Sequence, residues 1–478
     1  MNREEDGKKT LKSIIFNTIA VVISMIVSLI TTVLLTRFIS LSDLGIATSF
    51  ITLKSIFTII CLLAIYISIN RMLLDVGKNA FQYLSSIYIF SSFFCILLYL
   101  IYLIFNKYIY IITGFDFKFI SLMFSMIFFI NGCTLLVAYW TYNNNYKLNF
   151  LYSILCNPVS QIISLLLCMF LSGHKYLGRI IGIDIFNIIF GIFCGIYILH
   201  KGKFSFKTDY VKKALKICLP MIPHLLAQLL LSSCDLLMIK NMVGSSQAGI
   251  YSMAYTISNL LYAVLIQLFN PWSPWVYRRM KKNEINSIYN NSKILISFCF
   301  YLCVALICIS PELIKIFLSS NYYPSINLIP PICVGIFFQI MYIFFYDIEY
   351  FYKKNKLIAF FSVVTSILNI ILNYFGIKYF GYQSAAYTTL ISYLILLLLH
   401  YFGMRSVDKR KIYDINYLIK VSSILLFIFL IVMLYQNILL RYSLLIIISI
   451  YILVKYKDII LKIVKKRGVI NDTETYDR

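Results

Sequence analysis

The sequence predicts an all-α integral membrane protein with about 14 transmembrane helices, built as two parallel six-helix repeats around a central cavity and followed by two further helices. Hydrophobic residues make up 61% of the chain and charged residues 13%, whereas a soluble domain carries about 25% charged residues. Long apolar runs alternate with short basic loops. A pattern of polar positions near the N-terminus recurs 204 residues later, which indicates internal duplication of the kind found in many transporters.

Uncharged or nearly uncharged runs mark the candidate spans, since a helix that crosses a bilayer needs roughly 20 mainly apolar residues. The fourteen runs are 14–36, 45–69, 83–105, 119–141, 149–171, 177–199, 214–239, 248–270, 294–310, 326–346, 357–377, 380–404, 418–436 and 439–454. Arg441 interrupts the last run, so a shallow or re-entrant final segment is an alternative there. The first run is too long for the apolar part of a signal peptide, and we interpret it as a permanent helix.

Basic residues in the loops predict the topology. With the N-terminus in the cytoplasm, 33 of the 43 Lys and Arg residues fall on the cytoplasmic side and nine on the outer side, in agreement with the positive-inside rule. Both termini are therefore predicted to be cytoplasmic. The same rule explains the net charge of +24, so no nucleic-acid partner is expected.

The internal repeat predicts the domain boundaries. Three pairs of positions related by the shift are Ser24 and Gln228, Ser28 and Ser232, and Thr31 and Asp235. Each repeat holds six spans, and because six is an even number both repeats enter the membrane in the same direction. We predict an N-terminal bundle over 1–200, a basic cytoplasmic linker over 201–213, a C-terminal bundle over 214–404, and two extra helices with a basic tail over 405–478.

Polar side chains that share helix faces predict a substrate cavity between the two repeats. Ser and Thr also serve as contacts between packed membrane helices, but matched polar faces in four spans favour a shared cavity. The predicted cavity residues are Asn17, Ser24, Ser28, Thr31, Thr52, Lys54, Ser55, Gln228, Ser232 and Asn259.

Lys54 is the one charged residue among these predicted cavity residues. It lies about ten residues into its span, a depth of about 15 Å at 1.5 Å per residue. An ammonium group at that depth needs water or a partner, which makes Lys54 a functional candidate. A structural ion pair with Asp184 or Asp235 is the alternative.

Three further groups are candidates for coupling transport to an ion, because they are titratable and lie within apolar runs: Asp184, His224 and Asp235. For Asp235, a local ion pair with Lys240 is an alternative. Arg37 and Arg71 cap the first two spans and are candidates for attracting a phosphate. The sequence holds no metal-binding spacing, nucleotide motif or hydrolase motif, so we expect no metal, no cofactor and no enzymatic activity.

Four short stretches resemble the polysaccharide flippases of the multidrug/oligosaccharidyl-lipid/polysaccharide (MOP) exporter superfamily, the Wzx-type O-antigen and capsule translocases. They are Leu34-Leu35-Thr36-Arg37-Phe38 with Leu44-Gly45-Ile46; Leu219-Pro220-Met-Ile-Pro223-His224; Asp235 with Met242-Val243-Gly244 and Gly249-Ile250-Tyr251-Ser252; and Asn369-Ile-Ile-Leu-Asn373 with Gly381 and Ala385-Ala386. The resemblance covers nearly the whole chain in order.

The resemblance implies a MATE-like fold that opens alternately to each side of the cytoplasmic (inner) membrane of a bacterium. Its implied substrate is an undecaprenyl-pyrophosphate-linked oligosaccharide repeat unit, and its implied partners are a polysaccharide polymerase and a chain-length regulator. A lipid II flippase or a drug/cation antiporter of the same superfamily is the main alternative. A membrane polymerase or acyltransferase would show a larger outer loop, and a receptor or scaffold would not need two matched repeats.

Overall fold

Long apolar stretches fold as helices here because lipid offers no hydrogen-bond partner, so each segment must satisfy its own backbone groups. A computed structural model describes residues 3–143, 145–171, 173–435 and 437–455, and these contain helices and no strand. The α-helices are α1 (Arg3–Phe38), α2 (Leu41–Cys61), α3 (Ile69–Val76), α4 (Ala80–Thr113), α5 (Phe117–Tyr142), α6 (Tyr146–Ile154), α7 (Ser160–Phe170), α8 (Lys175–Lys201), α9 (Thr208–Cys218), α10 (Ile222–Met242), α11 (Ser245–Lys281), α12 (Ile285–Phe317), α13 (Ile329–Phe351), α14 (Asn355–Phe380), α15 (Ser384–Val407), α16 (Ile415–Tyr435) and α17 (Ile438–Lys455).

The predicted fold class is confirmed: the chain is an all-α, multi-pass membrane protein. Twelve helical segments in the described part of the chain are long and apolar enough to cross a membrane. Two shorter apolar helices, Ile23–Phe38 in α1 and Ile438–Tyr451 in α17, correspond to the first and last predicted spans. Full crossing by these two segments stays a prediction, as do the predicted domain boundaries.

Successive long helices run in opposite directions, so the loops lie on two faces. We call the face with the loops 202–207, 282–284 and 408–414 the linker face, and the face with the loops 114–116 and 318–328 the opposite face.

A charged residue ties three loops together on the linker face. Arg410 pairs with Asp408 at 2.6 Å and donates hydrogen bonds to the side chains of Asn283 (2.6 Å) and Tyr352 (2.9 Å). The hydrogen bonds that Asp408 accepts from Arg410 and from the Tyr352 hydroxyl (2.9 Å) stabilise its ionised form and lower the pKa of Asp408 to about 2. The loops before α12, after α13 and after α15 are thereby held together.

On the opposite face the two repeats touch backbone to backbone. Gly45 of α2 and Gly249 of α11 are equivalent positions of the repeat, and both helices come close at these glycines. A Cβ atom added to Gly45 would lie 1.8 Å from the carbonyl oxygen of Ser245, and one added to Gly249 would lie 2.1 Å from that of Leu41. Any larger residue would force α2 and α11 apart.

Lys240 makes a second contact between the repeats on this face. Its Nζ donates to the carbonyl oxygens of Gly114 (3.0 Å) and Thr113 (3.4 Å), and it lies 3.3 Å from the centroid of the Phe115 ring. These carbonyls end α4, where the helix dipole favours a cation. The predicted alternative, an ion pair between Lys240 and Asp235, does not form because the ammonium group of Lys240 contacts residues 113–115 instead.

We expect Gly45→Ala to lower the free energy of unfolding by about 1–3 kcal/mol, because the added methyl group overlaps backbone atoms that cannot rotate away. Thermal unfolding of the purified protein in detergent measures the effect. Gly173→Ala is the matched control, since a Cβ there meets no atom within 4 Å. Equal melting temperatures for the two variants would contradict the close contact.

Candidate functional site

Two adjoining cavities lie between the repeats. The first, which we call the central cavity, has a volume of about 630 Å³ and is enclosed by α2, α10, α11, α13 and α15. The second, which we call the α1 cavity, has a volume of about 540 Å³ and lies between α1, α6–α7, α11 and the end of α12. Thr256 and Asn259 of α11 line both cavities, so the two spaces adjoin along this helix.

The central cavity presents hydroxyl, amide and phenol groups. Among the predicted residues, Thr52, Gln228, Ser232 and Asn259 line it. Sequence reasoning missed others, which were visible as polar residues in apolar runs but not as a shared face: Ser233, Tyr255, Tyr262, Gln339 and Tyr393. The lining therefore offers neutral hydrogen-bonding groups and aromatic surfaces.

The α1 cavity has a mainly apolar lining. Ser24 and Ser28 of α1, both predicted, line it together with apolar residues such as Met25, Leu313 and Phe317. The Ser24 hydroxyl donates to the carbonyl oxygen of Ala20 at 2.7 Å.

One wall of the α1 cavity contains a π-helical turn. Sequence reasoning missed this wall. Residues Leu155–Val159 form this turn between α6 and α7, with Pro158 inside it. Such a turn often occurs at functional sites. Ser153, Asn157 and Gln161 line the cavity here, and their four-residue spacing next to a proline was the signal in the sequence.

Several predicted residues have other surroundings. The hydroxyl of Thr31 donates to the carbonyl oxygen of Val27 (2.8 Å) and that of Ser55 to the carbonyl oxygen of Ile51 (2.9 Å), and neither residue lines a cavity. Asn17 belongs to α1, but its side chain lies outside the described part of the chain.

Lys54 forms a buried ion pair instead of lining a cavity. Its ammonium group donates to Asp184 of α8, and the two residues are 9% and 3% exposed. Asn187 donates to the other carboxylate oxygen of Asp184 at 3.5 Å, and Tyr152 donates to Asn187 at 2.8 Å. The structural pair, left open as an alternative for Lys54, is therefore what the structure shows. Asp184 has its charge compensated by the same pair.

Asp235 is buried without a cation. Its carboxylate accepts hydrogen bonds from the Tyr251 hydroxyl (2.5 Å), the Leu236 amide (3.0 Å) and the Thr389 hydroxyl (3.5 Å). No basic side chain in the described part of the chain pairs with it. An isolated ionised carboxylate is costly to bury, so this site favours taking up a proton or another cation.

A hydrogen-bond network extends from this carboxylate into α14. Asn369 donates to the hydroxyls of Thr389 (3.3 Å) and Ser392 (3.1 Å), and Asn373 donates to the side-chain oxygen of Asn369 (3.1 Å). Asp235 of α10 is thus contacted directly by Tyr251 of α11 and Thr389 of α15, and α14 is joined to it through Asn369 and Thr389.

The remaining predicted residues lie apart from the two cavities. His224 is partly buried next to Pro223, and its Nδ1 has no hydrogen-bond partner. Arg37 is exposed near the opposite face and Arg71 near the linker face, and neither lines the two cavities. Their attraction of a phosphate stays a prediction. Within the described residues, no group of three His, Cys, Asp or Glu side chains could hold a metal ion.

Long apolar helices with polar cavities between two repeats are an arrangement found in many membrane transporters. The chain belongs to the polysaccharide biosynthesis protein family, whose model matches residues 34–327, more than half of the sequence. None of the curated proteins matches the sequence.

Solved structures of transporters share the fold. The lipid II flippase MurJ in an inward closed conformation is 18% identical with a TM-score of 0.72, over 94% of this chain and 100% of that one. An inward-facing multidrug resistance MATE family transporter of the MOP superfamily is 11% identical with a TM-score of 0.58, over 80% and 94%. A mutant of the Vibrio cholerae MATE transporter VcmN is also 11% identical, with a TM-score of 0.53 over 84% and 96%. At such identities the likeness concerns the fold.

Replacing Lys54 by Met leaves the carboxylate of Asp184 buried without a cation. We expect the free energy of unfolding to fall by about 3–5 kcal/mol. The double variant Lys54→Met/Asp184→Leu has no charge left at this site. It should therefore recover most of the lost stability. Thermal unfolding measures both variants, and a single variant as stable as the wild type would contradict the pair.

Proposed function

We propose that the protein is a flippase that moves undecaprenyl-pyrophosphate-linked oligosaccharide repeat units across the cytoplasmic membrane by alternating access, for O-antigen or capsule synthesis. The family description names polysaccharide biosynthesis, and MurJ, of similar fold, is a lipid II flippase. The observation that carries the proposal is the central cavity of neutral polar groups beside a mainly apolar one.

The glycan occupies the central cavity. Sugars present many hydroxyl groups, which pair with neutral donors and acceptors such as Thr52, Gln228, Gln339 and Asn259. The volume of the central cavity, about 630 Å³, falls within the range of small-molecule sites. The described residues that line the two cavities include no Asp or Glu, whereas an antiporter for cationic drugs would be expected to offer a carboxylate.

The lipid part of the substrate runs along the α1 cavity. Apolar side chains such as Met25, Leu260 and Phe317 line this space, and burial of an alkyl chain against them is favourable. Because the two cavities adjoin at Thr256 and Asn259, one molecule can place its saccharide in the first and the start of its chain in the second.

The linker face is cytoplasmic in this proposal. Basic residues concentrate in its loops, as expected for cytoplasmic loops. On the opposite face the contacts of Gly45 with α11 and of Lys240 with Gly114 join the two repeats. The described arrangement therefore suits loading from the cytoplasmic leaflet, with release to the outer leaflet after these contacts open. A polysaccharide polymerase and a chain-length regulator would act on the released unit.

Deletion in the native host tests the proposal. We expect loss of surface polysaccharide, with single undecaprenyl-linked repeat units trapped on the cytoplasmic leaflet. Complementation with Asn259→Ala should restore less polysaccharide than the wild type because a cavity donor is lost, whereas Asn106→Ala, on the exposed surface of α4, should restore it fully.

Three other outcomes would contradict the proposal. Normal polysaccharide with raised sensitivity to cationic drugs would indicate an antiporter. Accumulation of lipid II with cell lysis would indicate a lipid II flippase. Repeat units that reach the outer leaflet without being joined would indicate a polymerase.

Asp235 carries the ion that couples transport to a gradient. Unlike Asp184, which Lys54 neutralises, Asp235 has only uncharged partners and is 1% exposed. His224 lies near the linker-face end of the same helix and is the candidate for passing a proton toward it.

We expect Asp235→Asn to abolish the stimulation of flipping by an imposed proton or sodium gradient in vesicles, because the amide carries no charge to neutralise. Asp116→Asn, an exposed residue before α5, is the control and should keep the stimulation. Wild-type flipping that is unchanged when both gradients are collapsed would rule out coupling.

A further inference from the structure

Arg179 of α8 is a cation without a counter-ion. Its Nη1 donates to the side-chain oxygen of Gln161 at 2.7 Å and to the Ser164 hydroxyl at 3.3 Å, both on α7. Its Nε is buried without a partner. No carboxylate in the described part of the chain lies within 4 Å of the guanidinium.

An uncompensated guanidinium inside a membrane helix is costly and marks a functional position. A second cation in the helices of the first repeat, Lys54, is paired with Asp184. Among the described residues that line the two cavities there is no Lys or Arg. Arg179 reaches the α1 cavity through its hydrogen bond to Gln161, which lines that cavity.

Arg179 also fixes which end of Gln161 faces the cavity. A guanidinium has donors and no acceptor, so the oxygen of the Gln161 side chain must turn toward it. Gln161 lines the α1 cavity, and its amide nitrogen is the end that this hydrogen bond leaves available to a ligand. The pair thus presents two N–H donors and a positive potential, a combination that suits a phosphate oxygen.

Tight packing holds the pair in place. A Cβ on Gly182 would lie 2.3 Å from the Cα of Ser164, and one on Gly178 would lie 3.0 Å from the backbone of Leu167. α7 and α8 are thus in close contact on either side of Arg179 along the helix. A fixed donor pair loses little conformational entropy when an anion binds.

We propose that Arg179 and Gln161 bind the diphosphate of the lipid-linked substrate at the α1 cavity, Gln161 by contact and Arg179 by its charge and by orienting Gln161. This inference rests on the proposed function and specifies its phosphate site. It places the diphosphate between the saccharide in the central cavity and the lipid chain.

Two variants of this pair test the proposal. Arg179→Gln removes the charge. Gln161→Glu keeps the contact with Arg179, as an ion pair, but replaces the donors toward the cavity by a carboxylate that repels phosphate. A purely structural role would tolerate or favour Gln161→Glu, so this variant separates binding from packing. Arg179→Lys keeps the charge and should recover part of the function, and Lys118→Gln, exposed at the start of α5, is the control for loss of one basic residue.

Proteoliposomes provide the flipping measurement, with a polyprenyl diphosphate that carries a short neutral oligosaccharide as the probe. We expect the half-saturating probe concentration to rise about tenfold or more in Arg179→Gln and Gln161→Glu, with little change in the maximal rate and none in Lys118→Gln. Binding is measured separately, as the increase in melting temperature caused by undecaprenyl diphosphate. That increase should be smaller in the same two variants.

The outcomes distinguish this inference from the function on which it rests. Wild-type flipping with unchanged half-saturation in both variants overturns the phosphate site and leaves the flippase in place. A wild type that binds undecaprenyl diphosphate through Arg179 but flips no probe overturns the function and leaves the site. Full flipping activity of Gln161→Glu would mean that Arg179 and Gln161 serve only the packing of α7 against α8. That result overturns the inference. If Arg179→Gln does not fold, Gln161→Glu alone decides between these outcomes.

Discussion

Charges inside this protein must be compensated by the protein itself, because lipid provides neither hydrogen bonds nor counter-ions. Two ion pairs and one hydrogen-bonded pair meet this requirement: Lys54 with Asp184, Arg441 with Glu312 at 2.6 Å, and His400 hydrogen-bonded to Glu349 at 2.7 Å. Each pair joins two helices that are distant in sequence. These pairs fix the positions of α8 against α2, α15 against α13, and α17 against α12. The cavities form between helices that are positioned in this way.

Not every charged group has such a partner, and two that lack one lie in different repeats. Arg179 in the first repeat lacks an anion, and Asp235 in the second lacks a cation. The repeat position of Asp235 in the first half is Thr31, and that of Lys54 in the second half is Ser258, so the duplication preserved the helices and not their charges. The two repeats can therefore bind different ligands although they share one fold. The charged groups without a counter-ion, Arg179 and Asp235, mark the candidate binding position in each repeat.

Hydropathy alone predicted the helices, since roughly 20 apolar residues in a row have few alternatives to a membrane helix. The position of a side chain around its helix was harder to predict. Lys54 shares α2 with Thr52, but two residues correspond to a rotation of about 200°, so the lysine faces α8 while the threonine faces the central cavity. Its partner is 130 positions away in the sequence, and nothing local indicates which of the two candidate carboxylates it selects.

Arg179 was overlooked for a related reason: near the end of a span a basic residue is typical of an interface anchor, and only its contact with Gln161 distinguishes it. This contact has a consequence for the substrate. Both cavities are lined by uncharged residues, and Arg179, a cation without a counter-ion, is joined through Gln161 to the α1 cavity and not to the central one. A saccharide with several acidic sugars would enter the central cavity without partners for its carboxylates, at a cost of desolvation that hydroxyl and amide groups offset only in part. The charge distribution therefore favours a neutral glycan, with the negative charge of the substrate confined to its diphosphate.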